Sequence, residues 1–76
     1  MRTFEDLMKG LEEAENLRLI ERIDAQRSYL DIDFYSTKMS VGNILNLRDF
    51  IKQNYSFVQC VDYMPIVCRL RLYGQF

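Results

Sequence analysis

Two short segments with the same alternation of side chains, 38 positions apart, most constrain how this chain can fold. Residues 29–35 alternate apolar side chains with two carboxylates, in the order Leu30, Asp31, Ile32, Asp33 and Phe34. Residues 67–73 alternate apolar side chains with two guanidinium groups, in the order Cys68, Arg69, Leu70, Arg71 and Leu72. A period of two is typical of a β-strand with one buried and one solvated face. The sequence therefore predicts two similar strands with opposite charges at equivalent positions.

The rest of the sequence repeats around these two strands. Thr3 and Ser40 are predicted helix N-caps, and each is followed by apolar residues at helical spacing. The predicted elements are helices over residues 3–16 and 40–54 and strands over residues 17–24, 29–35, 55–63 and 67–73. The strand pairs align without a gap at an offset of 38, and the helices align at an offset of 37. We therefore predict one domain, residues 1–76, in which an αββ unit over residues 3–36 is repeated over residues 40–74.

This repeat predicts an α+β fold in which two units share one sheet. Together they can form a four-stranded antiparallel sheet with both helices on one face, which neither unit could cover alone. The predicted strand order is 3-4-2-1, a circularly permuted ferredoxin-like arrangement with strands two and four at the centre. Charge pairing across these central strands would fix their register, and it involves Asp31, Asp33, Arg69 and Arg71. The alternative is that these four charges are only the solvated face of two amphipathic strands.

Composition indicates a small folded domain. Charged residues make up 28% of the chain and apolar residues 49%, which are ordinary globular values and argue against disorder. No apolar run approaches the ~20 residues of a membrane span, and the first residues contain no apolar signal core. We therefore expect a cytoplasmic protein, in a host cytoplasm if the source is viral, with no membrane partner.

The charge is unevenly distributed along the chain. Residues 1–38 contain six basic and nine acidic residues, a net charge of −3, whereas residues 39–76 contain four basic and two acidic residues, a net charge of +2. Halves of opposite sign can attract each other within one fold or between two molecules. A homodimer is therefore one expected assembly.

The sequence contains no set of residues typical of catalysis or metal binding. It has no histidine, which is the commonest general base at neutral pH and the commonest metal ligand. Its three glycines form no phosphate-binding loop, and Gly10 is expected to let the first helix lie close to the sheet. We predict no catalytic residue, no cofactor, no metal and hence no enzyme.

Two cysteines fall on the second predicted strand pair. Cys60 and Cys68 would lie nearly opposite each other around a turn at Met64 and Pro65. In a cytoplasmic chain we expect two buried thiols that act as small hydrophobes, with a cross-strand disulfide as the alternative.

Surplus apolar side chains favour a protein-binding function. The second predicted helix turns Val41, Ile44, Leu45 and Ile51 towards the sheet, which leaves Leu47 and Phe50 on its flanks. A tilted helix that buries a wider face is the alternative explanation for these two residues. Excess apolar and aromatic area on a small domain is typical of an interface. The predicted interface residues are Leu47 and Phe50, with Ile20, Val58, Tyr35 and Tyr73 on or near the outer sheet face.

A weak single-stranded nucleic-acid-binding module is the alternative function. Tyrosines and arginines on one sheet face would resemble a base-stacking platform, formed by Tyr29, Tyr35, Tyr73, Arg69 and Arg71. The pI near 5.3 and the lack of a basic stripe disfavour nucleic acid as a partner. Two aspartates in the middle of that platform disfavour it further.

No motif in the chain identifies a family. In its size, its acidic pI and its lack of a catalytic set, the chain is similar to small phage-encoded inhibitors of host defence enzymes, anti-CRISPR proteins among them. This resemblance implies an inhibitor that masks the surface of a partner protein. Because it depends on no specific residue, it implies no site residue. Together with the surplus apolar area, it favours a non-enzymatic inhibitor or adaptor.

Overall fold

The computed structural model describes residues 2–76 and has two helices and a four-stranded antiparallel sheet. The elements are α1 (Phe4–Asn16), β1 (Ile20–Ala25), β2 (Tyr29–Phe34), α2 (Val41–Asn54), β3 (Val58–Met64), a 3₁₀ turn (Pro65–Val67) and β4 (Arg69–Gly74). The strand order is β1-β2-β4-β3, which is the predicted order written from the other edge. The two strands with alternating charges are therefore the central pair.

Both helices begin at a side-chain cap, as predicted. The Thr3 hydroxyl accepts from the backbone N–H of Asp6 at 3.2 Å, and the Asp6 carboxylate accepts from the backbone N–H of Thr3 at 2.9 Å. The bond from the Thr3 backbone N–H to the carboxylate, and after it an interaction of the carboxylate with the Thr3 side chain, lower the pKa of Asp6 below its usual 3.8. At α2 the Ser40 hydroxyl accepts from the backbone N–H of Asn43 at 3.1 Å. The caps fix the first residue of each helix.

α1 ends at Asn16, as predicted, but the following strand begins later than predicted. The strand predicted from residue 17 begins at Ile20, because Arg18 takes a left-handed conformation with φ 61°. The backbone N–H of Arg18 donates to the carbonyl of Glu15, and that of Leu19 donates to the carbonyl of Ala14. This pair of bonds is a Schellman motif, in which the left-handed position is usually glycine. Because an arginine occupies this position, the sequence does not reveal the turn that delays the start of β1.

A β-bulge interrupts each outer strand at equivalent positions. In β1 the register shifts between Ile20 and Arg22, and in β3 it shifts between Val58 and Cys60, 38 positions later. A bulge adds one residue to a strand, so each side chain beyond it points to the opposite face of the sheet from the one that simple alternation predicts. The sequence predicts Ile20 and Val58 on or near the outer face, as uninterrupted alternation with Arg22 and Cys60 would place them. That prediction is wrong, since both side chains are buried in the core.

The core lies between one sheet face and both helices. A single cluster contains the inward residues of the central strands together with Leu7 and Leu11 of α1 and Ile44 and Ile51 of α2. Both helices therefore pack on one side of the sheet. Val41, predicted to face the sheet, is 56% exposed, because it lies at the first position of α2 beyond the sheet.

The β3–β4 connection separates the two cysteines. Pro65–Val67 forms a 3₁₀ turn, and Cys68 is left-handed with φ 52°, so β4 begins at Arg69 instead of residue 67. Cys60 pairs with Tyr73, not with Cys68. Both thiols are free, and Cys60 is exposed on the outer face. The prediction of two nearly opposed, buried thiols is therefore wrong for Cys60.

Candidate functional site: an apolar groove between the helices

The two helices stand apart over the centre of the sheet. α1 packs on β1 and α2 packs on β3, and these are the two edge strands. The inward residues of the central strands, Leu30, Ile32, Leu70 and Leu72, are nevertheless 0% exposed, and the space between the helices is lined from the sheet by Ile20 and Phe34. A groove between the helices follows from this arrangement.

The groove is a cavity of about 300 Å³ that opens to the surface. It is lined almost entirely by apolar side chains from both helices, β1, β2 and the connecting segments. The lining residues are Leu7, Gly10, Leu11, Ala14, Leu19, Ile20, Phe34, Met39, Leu47, Phe50, Ile51 and Tyr55. Small-molecule and peptide sites in proteins commonly begin at this size and are predominantly apolar.

Gly10 keeps the α1 side of the groove open. A Cβ built at Gly10 meets no atom within 4 Å, so the residue lies beside empty space. The expectation that Gly10 lets α1 lie close to the sheet is therefore wrong. Its missing side chain widens the groove instead.

Two predicted interface residues form the α2 side of the groove. Phe50 is 41% exposed, and Leu47 is half-buried against the core. Both line the same cavity, in agreement with their predicted position on the flank of the helix. Their contact with a partner stays a prediction.

An aromatic cluster closes one end of the groove. Phe50 contacts Tyr55 with ring centroids 6.4 Å apart, and Tyr55 contacts Phe57 at 5.8 Å. Phe57 in turn contacts Phe4 and Phe76 at 6.1 and 6.0 Å. The guanidinium of Arg2 lies 5.0 Å from the centre of the Phe50 ring. Sequence patterns missed this cluster because its members are distant along the chain and share no periodicity.

The outer face of the sheet carries paired charges at its centre. Arg71 donates to both Asp31 oxygens at 2.7 and 2.9 Å, and Arg69 makes a bidentate pair with Asp33. Asp31 is only 5% exposed, and a second guanidinium, that of Arg69, lies 3.7 Å from it. The four charges predicted to pair do so, with Asp31 opposite Arg71 and Asp33 opposite Arg69. Their first role is to hold the central strands together.

The same pairing bears on the nucleic-acid alternative. The hydrogen bonds to Asp31, and more weakly to Tyr73, raise the pKa of Arg71, and the bond to Asp33 raises that of Arg69. The Arg71 guanidinium also lies 4.3 Å from the centre of the Tyr29 ring. Guanidinium groups whose charge is balanced by carboxylates, and in Arg71 also placed over an aromatic ring, attract phosphate less strongly than free arginines do.

Of the other predicted interface residues, Ile20 lines the groove and Val58 is buried in the core, whereas Tyr35 and Tyr73 lie apart from the groove. Tyr73 pairs with Tyr29 at one end of the outer face. Tyr35 lies beyond the other end of β2 and lines a shallow, more polar depression of about 710 Å³. Exposed Val41, Ile66 and Val67 also line that depression. The structure therefore does not bring the six predicted residues into one surface.

Within residues 2–76, neither helix combines the length and the apolar character needed to cross a membrane. Comparisons of the chain with protein-family models, with curated proteins and with solved structures give no match. Any functional conclusion for this chain therefore depends on its own surface, which includes the apolar groove between the helices.

Proposed function

We propose that this chain is a small non-enzymatic protein-binding protein, an inhibitor or adaptor that masks a partner surface with the interhelical groove. The observation that supports this proposal best is the open apolar cavity of about 300 Å³ on a domain of 76 residues. A domain of this size has little apolar area to spare from its core. An open apolar groove costs such a fold stability, which a bound partner would recover.

The groove suits an extended apolar contact better than a reaction. Its lining provides aromatic and thioether groups, namely Phe50, Tyr55 and Met39, which are enriched at the centres of protein interfaces. Covering apolar surface contributes roughly 25 cal/mol for each Å² removed from water. Two walls formed by helices are typical of sites that receive a third helix.

We expect Phe50→Asp to abolish partner binding without unfolding the protein. Phe50 is 41% exposed, so the carboxylate can reach water in the free protein but would be buried in a filled groove. Central aromatic residues typically contribute about 2 kcal/mol or more, roughly 30-fold in affinity. Affinity capture from the native source, quantified by mass spectrometry, measures the loss, and circular dichroism verifies the fold.

Val41→Asp is the matched control for this variant. Val41 is an exposed apolar residue of the same helix, but it lies outside the groove. Capture should be retained by Val41→Asp and lost by Phe50→Asp. The reverse result would move the binding surface to the depression beside Val41, and an unfolded Phe50→Asp would return Phe50 to the core.

We also propose that the fold is a duplicated αββ unit in a circularly permuted ferredoxin-like arrangement. The bulges of β1 and β3 lie 38 residues apart, as do the paired residues Ile32 and Leu70. A twofold axis through this pair exchanges the Asp31–Arg71 bridge with the Arg69–Asp33 bridge. The two hairpins differ in register, because Arg22 lies opposite Asp33 whereas Cys60 lies opposite Tyr73, so the repeat is approximate.

Exchanging the charges of the central strands tests this equivalence. The variant that exchanges the charges carries Asp31→Arg, Asp33→Arg, Arg69→Asp and Arg71→Asp. It should fold cooperatively with an unchanged circular dichroism spectrum, because the proposed twofold axis makes the positions on β2 equivalent to those on β4. A variant with only the two aspartates replaced should not fold, since it places four guanidinium groups together. A quadruple variant that fails like the double variant would contradict the equivalence of the halves.

A further inference from the structure

We propose that the occupant of the groove is a cationic amphipathic helix of a partner protein, bound with its Lys or Arg side chains against α1. This inference rests on the proposed function, because it names the chemistry of the partner that the groove receives. The charges along the two edges of the groove support it.

The α1 edge of the groove is acidic. Asp6 lies four residues before Gly10 and Glu13 three residues after it, so all three residues share one helix face. Leu17 extends that face beyond the helix and is 72% exposed. α1 carries five acidic residues and one lysine. Within residues 2–76, the ion pairs involve none of these acidic side chains.

The end of α1 concentrates this negative charge. Glu13 and Glu15 lie in the last turn, which contains no basic residue, although the helix dipole favours cations there. The fold itself gains nothing from carboxylates at this position. A cation from a partner would interact favourably with the carboxylates and with the dipole at the same time.

The α2 edge has no charged residue of its own, and the only cation described beside it is Arg2, whose guanidinium lies over the Phe50 ring. Residues spaced as one helix face along this edge are Asn43, Leu47, Phe50 and Asn54. A bound helix would therefore place its charged side against α1 and its neutral side against α2. α1 has 13 residues and a length of roughly 20 Å, enough for about four turns of a partner with apolar residues at helical spacing.

A second copy of this chain is a poorer occupant on the same grounds. Its α1 has the same excess of carboxylates, so docking it along the acidic edge would bring like charges together. Its α2 carries apolar residues but is already packed on β3. The groove therefore suits a partner with the opposite charge to its own α1 edge.

Synthetic helices provide the test. Three labelled 18-residue amphipathic peptides share one leucine face and carry lysine, glutamine or glutamate elsewhere. Fluorescence anisotropy with the full-length protein should show binding of the lysine peptide. Glu13→Lys should weaken this binding about tenfold and Glu13→Gln several-fold. Phe50→Asp should reduce it below detection. Glu12→Lys makes the same change of net charge on the solvated face of α1, and it should weaken binding less than twofold.

The other outcomes separate the two proposals. Equal weakening by Glu13→Lys and Glu12→Lys would mean that the peptide responds only to net charge, which overturns this inference. If the glutamine or glutamate peptide binds as tightly as the lysine peptide and Phe50→Asp prevents binding, the groove is a docking site but its cationic preference is wrong. If Phe50→Asp affects no peptide, both proposals fail. A concentration-dependent dimer that Phe50→Asp dissociates would identify a second copy as the occupant and overturn this inference.

Discussion

Replacing Gly74 with alanine should destabilise the protein by an amount at the upper end of the about 1–3 kcal/mol typical of overpacking. A Cβ at Gly74 would overlap the carbonyl oxygen of Phe57 and lie 3.3 Å from the Cα of Val58. These are backbone atoms at the start of β3, so no side chain can turn away to make room. The total stability expected for 76 residues is only about 4–11 kcal/mol. Urea unfolding followed by circular dichroism measures the loss.

Glycine at position 10 is the matched control for this substitution. The same added methyl group at Gly10 meets open space inside a helix, and the higher helix propensity of alanine should stabilise the protein by up to about 1 kcal/mol. One chemical change is thus expected to have opposite signs at the two positions. A Gly74→Ala protein as stable as the wild type would show that the chain at Phe57 moves aside easily.

The second large effect is expected for Asp31→Asn. Asp31 is nearly buried and accepts two hydrogen bonds from Arg71, and hydrogen bonds to charged groups contribute about 1.5–3 kcal/mol. The asparagine keeps the shape of the side chain, but it loses the charge and turns N–H donors towards a guanidinium. We expect the substitution to lower the free energy of unfolding by an amount within this range. Because Asp31 is shielded from solvent, the loss should persist in 1 M salt.

Asp24→Asn is the comparison for Asp31→Asn, because it removes a carboxylate from the position paired with Asp31 on the neighbouring strand. Asp24 lies opposite Asp31 on β1, but its ion pair with Arg22 is 4.0 Å long and exposed to solvent. Exposed pairs of this kind contribute at most about 1 kcal/mol. Removing its charge also removes a repulsion with Asp31, so the stability should hardly change. Equal losses from Asp24→Asn and Asp31→Asn would show that burial does not strengthen the central pairs.

The central sheet could be predicted from the sequence because its information is local. Alternation in residues 29–35 and 67–73 predicted the strands, and opposite charges at equivalent positions predicted that these two strands are neighbours. The helix caps at Thr3 and Ser40 were equally local, since each hydroxyl bonds to a backbone group three residues on. Patterns with a short range therefore predicted the scaffold.

The departures arose where one residue changes the geometry without changing the pattern. A left-handed arginine at position 18 delays the start of β1 to Ile20, where glycine would have signalled the turn. The bulges in β1 and β3 reverse the faces of Ile20 and Val58, and no residue type marks them. The groove was also unpredictable, because the distance between two helices depends on the strands they cover. Only Leu47 and Phe50 could be placed at it from helical spacing.

The pairing of β2 with β4 has a consequence for how the chain is made. Asp31 meets Arg71 forty residues later, so a ribosome releases the first hairpin well before its neighbouring strand exists. During that interval the inner hairpin edge is open to any passing chain, and strands with free edges are prone to aggregate. Until β4 and its arginines are synthesised, the two aspartates give this unpaired edge of β2 a strong negative charge. The charged residues that join the central strands of the finished sheet would thus also protect the incomplete sheet from aggregation.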